Sequence, residues 1–285
     1  MSTPVKNLLV ELFVEELPPK ALKKLGEAFA SGLAAALKAQ GLVGDGAVVT
    51  PFASPRRLAA HITAVAAKAA DRNVQQKLMP VAVALDAAGQ PTPALLKKLA
   101  AAGADASAVP GLKRAMDGKA EALFLDSLVA GATLADGLQK ALAEALAKLP
   151  IPKVMSYQLE GGDGVRPGWT TVHFVRPAHG LVALHGSDVV PVAALGLVAG
   201  QQTQGHRFEA AVNPVKLRSA DSYAAQLAEE GAVIASFAER RAEIARQLAA
   251  VAATAGTGLH PIDDDALLDE VTALVERPNV LLCRF

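Results

Sequence analysis

The stretch NLLVELFVEELPPKALKKLGEAFASGLAAALKAQG, residues 7–41, passes from one structural period to another. Its opening, NLLVELFV, is a short apolar run bounded by turn signals and reads as a strand. Pro18 and Pro19 punctuate the turn that follows. Beyond them Leu22, Leu25, Phe29, Leu33 and Leu37 fall on one face at helical spacing, so an amphipathic helix runs to about Gln40. Gly41 ends it. VVTPFAS (48–54) and RRLAAHITAV (56–65) then read as two strands joined around Pro55. Strand, helix, strand, strand is an α+β order, not the strict alternation of a parallel sheet.

The same reading carries down the chain. DAAGQP (86–91) is a turn, and a short helix covers about Pro93 to Ala102. KAEALFLDSLVAG (119–131) reads as a strand and Ala130–Leu149 as a helix, which the prolines of LPIPK (149–153) forbid from continuing. LEGGDGVRPG (159–168) is a glycine-rich loop, and residues 170–208 alternate like antiparallel strands. From Ser219 the chain is helical, clearest in ASFAERRAEIARQLAAVAATAG (235–256) and DALLDEVTALVE (265–276), with a loop over 257–265 between them. The expectation is an α+β fold with mixed or antiparallel sheets and flanking helices, followed by a helical segment. Its expected domains are 1–152, an α+β domain; 153–215, mainly antiparallel β; and 216–285, helical and leading into a truncated strand.

Bulk properties bound the function. A chain of 285 residues favours two domains and can bury roughly 75% of its unfolded surface. With 28 basic and 28 acidic residues there is no overall basic field, so any nucleic-acid site must be a local patch. Cys283 stands alone, which fits a reducing compartment. The N-terminus resembles neither a signal nor a transit peptide, and no run approaches the ~18 apolar residues of a membrane span. A cytoplasmic protein is expected. NVLLCRF (279–285) reads as a buried strand with Cys283 in the core, and its abrupt end suggests a piece of a longer protein.

The usual catalytic signatures are missing: no phosphate loop, no dinucleotide glycine motif, no serine elbow, no CxxC and no HExxH. Other residues are candidates for binding. His173, His179 and His185 read more simply as surface and turn residues than as a metal set, since no carboxylate lies near enough in sequence to form a familiar ligand set. Arg176 shares a strand face with Phe174 and Val172, where a guanidinium either snorkels or meets a carboxylate or phosphate. GHRF (205–208) offers His206 and Arg207 as donors after a glycine that permits close backbone approach. SPRR places Arg56 and Arg57 after a proline turn; as neighbours on a strand they should face opposite sides and cannot both serve one groove unless that strand is at a sheet edge. Glu15 and Glu16 precede a helix N-terminus, where negative charge is favourable. Glu239–Arg241 reads as a solvated helical face, with Glu243 paired to Arg240 or Arg246.

Singly these motifs are bland, but their order is not. EELPPKAL, SPRRLA, LPIPKVM, HFVRPAH, GHRF and LLDEVTALVERP together closely resemble the N-terminal part of the β subunit of bacterial tetrameric glycyl-tRNA synthetase, over essentially the whole chain. The resemblance implies a class II catalytic core on a separate α subunit, which uses ATP with Mg. It implies a β subunit that binds glycine tRNA and assembles with α in an α2β2 tetramer. It further implies no membrane role, no cofactor or metal held by this stretch, no catalytic residue within it, and continuation into HD-like and anticodon-binding domains. The candidates for tRNA phosphate or subunit contact are Arg56, Arg57, Lys153, Arg176, His179, His206 and Arg207. The chain departs from the family where a Met-Arg-Trp run is usual: here MSYQLEGGDGVRPGWTTVHFVRP (155–177) has a longer loop, with Ser156 and Tyr157 in place of Arg-Trp. Arg277 stands where a tryptophan is common. A pure docking scaffold and a histidine-based metal enzyme are the competing readings.

Overall fold

The computed structural model describes residues 4–283 apart from 87, 119, 162–164, 257 and 259. The chain forms two compact units, Met1–Ala69 with Ala132–Phe285, and Ala70–Gly131. The expected boundaries at 152 and 215 therefore both lie inside the first unit.

The first unit is built on β1 (Val5–Val14), which lies between β3 (Arg57–Ala66) and β9 (Ala178–His185). β2 (Val49–Ser54) and β10 (Asp188–Val189) flank them, giving the antiparallel order β10-β9-β1-β3-β2. NLLVELFV is apolar on both faces because the sheet is covered on both. Leu8, Val10, Leu12 and Val14 pack against α1 (Pro19–Ala39) and α4 (Leu134–Ala147). Leu9 belongs to the opposite core, with Phe52, Val182, Leu184, Tyr223 and Leu227. Burial of each such Leu or Phe stabilises the fold by roughly 1.5–3 kcal/mol.

α1 follows its sequence pattern. Pro19 sits at its start, where a missing N–H costs nothing, and Leu22, Leu25, Phe29, Leu33 and Leu37 form its buried stripe. Gly41 takes the left-handed conformation, φ 75°, that ends it. α4 is shorter than the expected 130–149 because Thr133 caps it, accepting from the Asp136 amide. After α4, β7 (Met155–Gln158) and β8 (Thr171–Phe174) form a hairpin around the glycine-rich loop, of which 162–164 lie outside the described residues. Past β10 the expected strands shrink to two-residue ladders, such as Gln202–Thr203 with Val215–Lys216. The helical part contains α5 (Tyr223–Glu229), α6 (Phe237–Ala255) and α7 (Asp265–Thr272).

The second unit is a three-stranded antiparallel sheet, β4-β6-β5, from β4 (Arg72–Pro80), β5 (Lys113–Asp117) and β6 (Ala120–Val129). The single helical turn α2 (Val81–Ala84) and α3 (Pro93–Ala101) pack on it through Leu78, Leu95, Leu99, Leu123 and Leu125. The expected turn at 86–91 is present, with Asp86 Oδ1 accepting from the amides of Ala88 and Gln90.

Four expectations are corrected. Residues 279–283 form no strand, Leu281 and Leu282 face solvent, and Cys283 is exposed rather than in the core. Arg284 and Phe285 of that stretch lie outside the described residues. His185 is buried, its Nε2 2.8 Å from the Val65 carbonyl, because β9 is an inner strand. His179 lies in β9 rather than in a turn. Arg240 is fully buried and not on a solvated face, although Glu243 does pair with Arg246.

Candidate functional site

The turn between β2 and β3 sets the site. Ser54 ends β2 and Arg57 opens β3, so Arg56 is a turn residue and escapes the strand parity that should send the two arginines apart. Both guanidiniums lie over the Phe13 ring, 5.1 and 5.6 Å from its centre. Both also reach Glu276: Arg56 donates to Oε2 at 3.2 Å, and Arg57 Nη2 is 3.6 Å from Oε1. Arg56 donates further to the Gly205 carbonyl at 3.1 Å, and Arg57 to that of Gln204 at 2.7 Å. β3 is an inner strand, so this convergence needs no sheet edge.

Behind the arginines is a buried charge cluster. Glu11, in the middle of β1, is fully buried, accepts from the Tyr223 hydroxyl and lies 3.9 Å from Arg57. Burial first, then the Glu11 charge, pushes the Tyr223 hydroxyl well above its ordinary range, so it stays a donor. Arg240 of α6 donates to the carbonyls of Ala53 (2.8 Å), Ile234 (2.7 Å) and Thr272 (2.9 Å), tying α6 and α7 to β2. Burial lowers its pKa to about 10, against the supporting charge of Glu276, so the guanidinium remains charged at neutral pH.

These contacts fix the GHRF loop. Gly205 lies so close to Gly231 that a Cβ would fall 2.8 Å from the Gly231 Cα, which is the close backbone approach the glycine suggested. The His206 amide donates to the Gly231 carbonyl at 2.6 Å. The side chain of His206 then braces the loop, with Nδ1 accepting from the amides of Phe208 (3.3 Å) and Glu209 (3.2 Å).

A second tier lies at the surface. The Glu15–Glu16 turn is pinned between two others: the Glu15 amide donates to Pro177 O at 2.9 Å, and Leu17 to Pro55 O at 2.7 Å. Its carboxylates gather cations rather than serving the α1 N-terminus. Glu15 sits 3.0 Å from His179 Nε2 and 3.9 Å from Arg207, and Glu16 3.6 Å from Arg207. Arg176 donates through Nε to the Glu16 carbonyl at 2.8 Å. Its Nη1 contacts Val175 O at 3.0 Å and the Met155 sulfur at 3.3 Å. A bond from its own backbone amide, with lesser help from Glu15 and Arg207, holds the Glu16 carboxyl below its ordinary range against the effect of burial.

The structure thus joins Arg56, Arg57, Arg176, His179 and Arg207 through Glu15, Glu16 and Glu276, with His206 bracing the loop. Lys153 stands apart, exposed in the bend before β7. Sequence reasoning missed Glu11, Glu276, Tyr223, Arg240 and the ion pair of Arg277 with Glu209 at 3.0 Å. Only Glu11, a charge inside an apolar strand, left a visible signal. Between the tiers opens a cleft of about 270 Å3, whose lining includes Arg56, His206, Arg207, Phe208 and Arg277 together with the carboxylates of Glu16 and Glu276. Three permanent cations and a histidine face two carboxylates, a donor-rich balance suited to an anionic ligand. Among the described residues no group of three or more His, Cys, Asp or Glu is placed to hold a metal ion. Among the described residues no helix is long and apolar enough to cross a membrane.

The divergent segment has roles of its own. Ser156 Oγ is 2.9 Å from His173 Nδ1 across the β7–β8 hairpin, and the Tyr157 hydroxyl accepts from the Ala178 amide at 3.2 Å. Trp169 is exposed and packs into no core.

The fold is an α+β module in which arginines are tethered by carboxylates beside a cleft. Residues 8–285 match the family model of the glycyl-tRNA synthetase beta subunit, and the chain belongs to that family. It is 78% identical over 279 residues to a glycine–tRNA ligase beta subunit of Leptothrix cholodnii, covering 98% of this chain and 38% of that one. A relative of the same name from Paracidovorax citrulli is 73% identical over 280 residues, covering 98% and 39%. One from Janthinobacterium is 67% identical over 285 residues, covering 100% and 40%. The chain therefore spans about two fifths of the length of these curated relatives.

Proposed function

We propose that this chain is the RNA-contacting and assembly portion of a glycine–tRNA ligase beta subunit, working in the cytoplasm within an α2β2 tetramer. Glycine activation with ATP and Mg belongs to the α subunit in this reading. This stretch contributes arginines to the tRNA backbone and a surface to the assembly. The observation that carries it is Arg207. It is half exposed at the mouth of the cleft, and its carboxylate neighbours lie at 3.6 and 3.9 Å, too far for hydrogen bonds. Its donors are open to phosphate oxygens. Such contacts give affinity and register without reading sequence.

The docking-scaffold reading has its own support. Arg56, Arg57 and Arg176 spend donors on backbone carbonyls within the protein. The test is binding to glycine tRNA across a salt series, with an unrelated tRNA as control and α-subunit capture in parallel. The proposal expects RNA affinity that falls steeply with salt. Capture of α with no RNA affinity at low salt leaves the scaffold reading alone.

A further inference from the structure

The GHRF loop carries a feature that phosphate binding does not use. Phe208 is 87% exposed, and Leu274 on the same cleft is 59% exposed. A phenylalanine left almost wholly in water gains nothing from burial in this fold. Its position is nonetheless tightly specified. Arg56, Arg57, Gly205 and Gly231 hold the loop from beneath, and the Phe208 amide is bonded to His206 Nδ1. The His206 ring meets Phe208 edge-on, with centres 6.3 Å apart. An aromatic face is thus presented by a braced backbone beside a cluster of cations.

The donors around it are open. Because His206 Nδ1 accepts two amide N–H groups, the hydrogen-bond pattern assigns the neutral ring its proton on Nε2, which has no partner among the described residues. Arg207 makes no hydrogen bond to the protein among the described residues, and Arg277 commits only Nη1, to Glu209.

The geometry points to this cleft as the seat of one unpaired RNA nucleotide, with its base stacked on Phe208 and its phosphate among His206, Arg207 and Arg277. The inference rests on the RNA-contact reading above and adds to it a ligand class. A paired base keeps its faces inside the duplex and has no use for Phe208. An unpaired base offers a π-face of matching size, and stacking on an aromatic is tolerant of base identity. The cleft therefore takes a single-stranded end, bulge or loop rather than a helix.

The test compares a fluorescein-labelled single-stranded hexa-adenylate with a blunt-ended two-strand RNA duplex, both titrated by anisotropy against the whole chain and its variants. Phe208→Ala should weaken hexa-adenylate binding by between about fivefold and about a hundredfold. The duplex affinity, the salt dependence and the melting temperature should be unchanged. Phe208→Trp should restore binding, and its indole emission should be quenched by the bound oligomer, with the unmodified chain and its Trp169 as reference. If the unmodified chain binds both RNAs in a salt-dependent way and Phe208→Ala binds hexa-adenylate equally well, the nucleotide seat is wrong while the RNA-contact reading stands. If the unmodified chain binds neither RNA, both fail. If Phe208→Ala leaves RNA binding intact but weakens α-subunit capture, Phe208 is a protein-docking anchor and the seat is overturned.

Discussion

Glu276 lies just past α7, yet its carboxylate reaches into the first hairpin of the chain. It neutralises Arg56 at 3.2 Å and Arg57 at 3.6 Å, and it supports the buried charge of Arg240. The Arg57 side chain is fully buried and that of Arg56 is 10% exposed, so neither guanidinium can turn to water when Glu276 is removed. In Glu276→Ala, Glu11 would be the sole remaining carboxylate near Arg57. Breaking a buried pair in this way costs about 3–5 kcal/mol, because one partner is left uncompensated. For a unit of roughly two hundred residues that is a fall in Tm of about 6–20 °C. Glu276→Gln keeps an acceptor for Arg56 and should fall between that variant and the unmodified chain. The assay is a thermal melt followed by circular dichroism, for the Tm, and urea denaturation for the free energies of a double-mutant cycle against Arg56→Met. The cycle should give a coupling of at least about 1 kcal/mol. A Glu276→Ala protein whose Tm lies within 2 °C of the parent, or a cycle with no coupling, would refute the idea that this carboxylate holds the site together (about the smallest shift that the size scaling attaches to 1 kcal/mol).

Adjacent residues of α6 should behave oppositely. Arg240→Ala deletes a buried guanidinium that donates to five carbonyls and should cost several kcal/mol in chemical denaturation, about 3 or more. Arg241→Ala breaks only the surface pairs to Asp265 and Asp269 and should barely move the transition. Gly205→Ala forces a Cβ against the backbone of Gly231, and about 1–3 kcal/mol of destabilisation is expected, with faster amide exchange over 204–209. Arg246 and then Gln247 depress the Glu243 carboxyl from 4.5 to about 2. The folded-state pKa is the lower one, so this pair's stabilisation is present above about pH 4.5 and is lost as pH falls toward 2. Glu243→Gln should therefore flatten that part of the acid limb, and high salt should shrink the difference because the pair is exposed.

The first 66 residues were legible because their apolar positions repeat with clean periods, and the strand, helix, strand, strand order follows. β4 was not, since RNVQQKLMP is exposed along most of its length and carries no buried face to announce a strand. That omission and the omission of β5 hid the second unit, whose sheet needs both to pair with β6. The candidate arginines were legible as motifs but not as a site. The carboxylate that unites Arg56 and Arg57 lies 220 positions away from Arg56, and no local pattern encodes so distant a partner. The parity argument failed because Arg56, like Pro55 before it, lies in the turn and belongs to no strand. Arg240 shows the reverse limit. Its sequence neighbours are charged, and only the packing of α6 against β2 and α7 reveals that it points inward.

The most direct test is the salt dependence of glycine tRNA binding by the unmodified chain and by Arg207→Ala. If Arg207 contacts a phosphate, the variant should bind more weakly, its slope of log affinity against log salt should be shallower by about one, and its Tm should match the parent. An unchanged slope, or no binding by either protein at low salt, would contradict the claim that this cluster meets the RNA backbone.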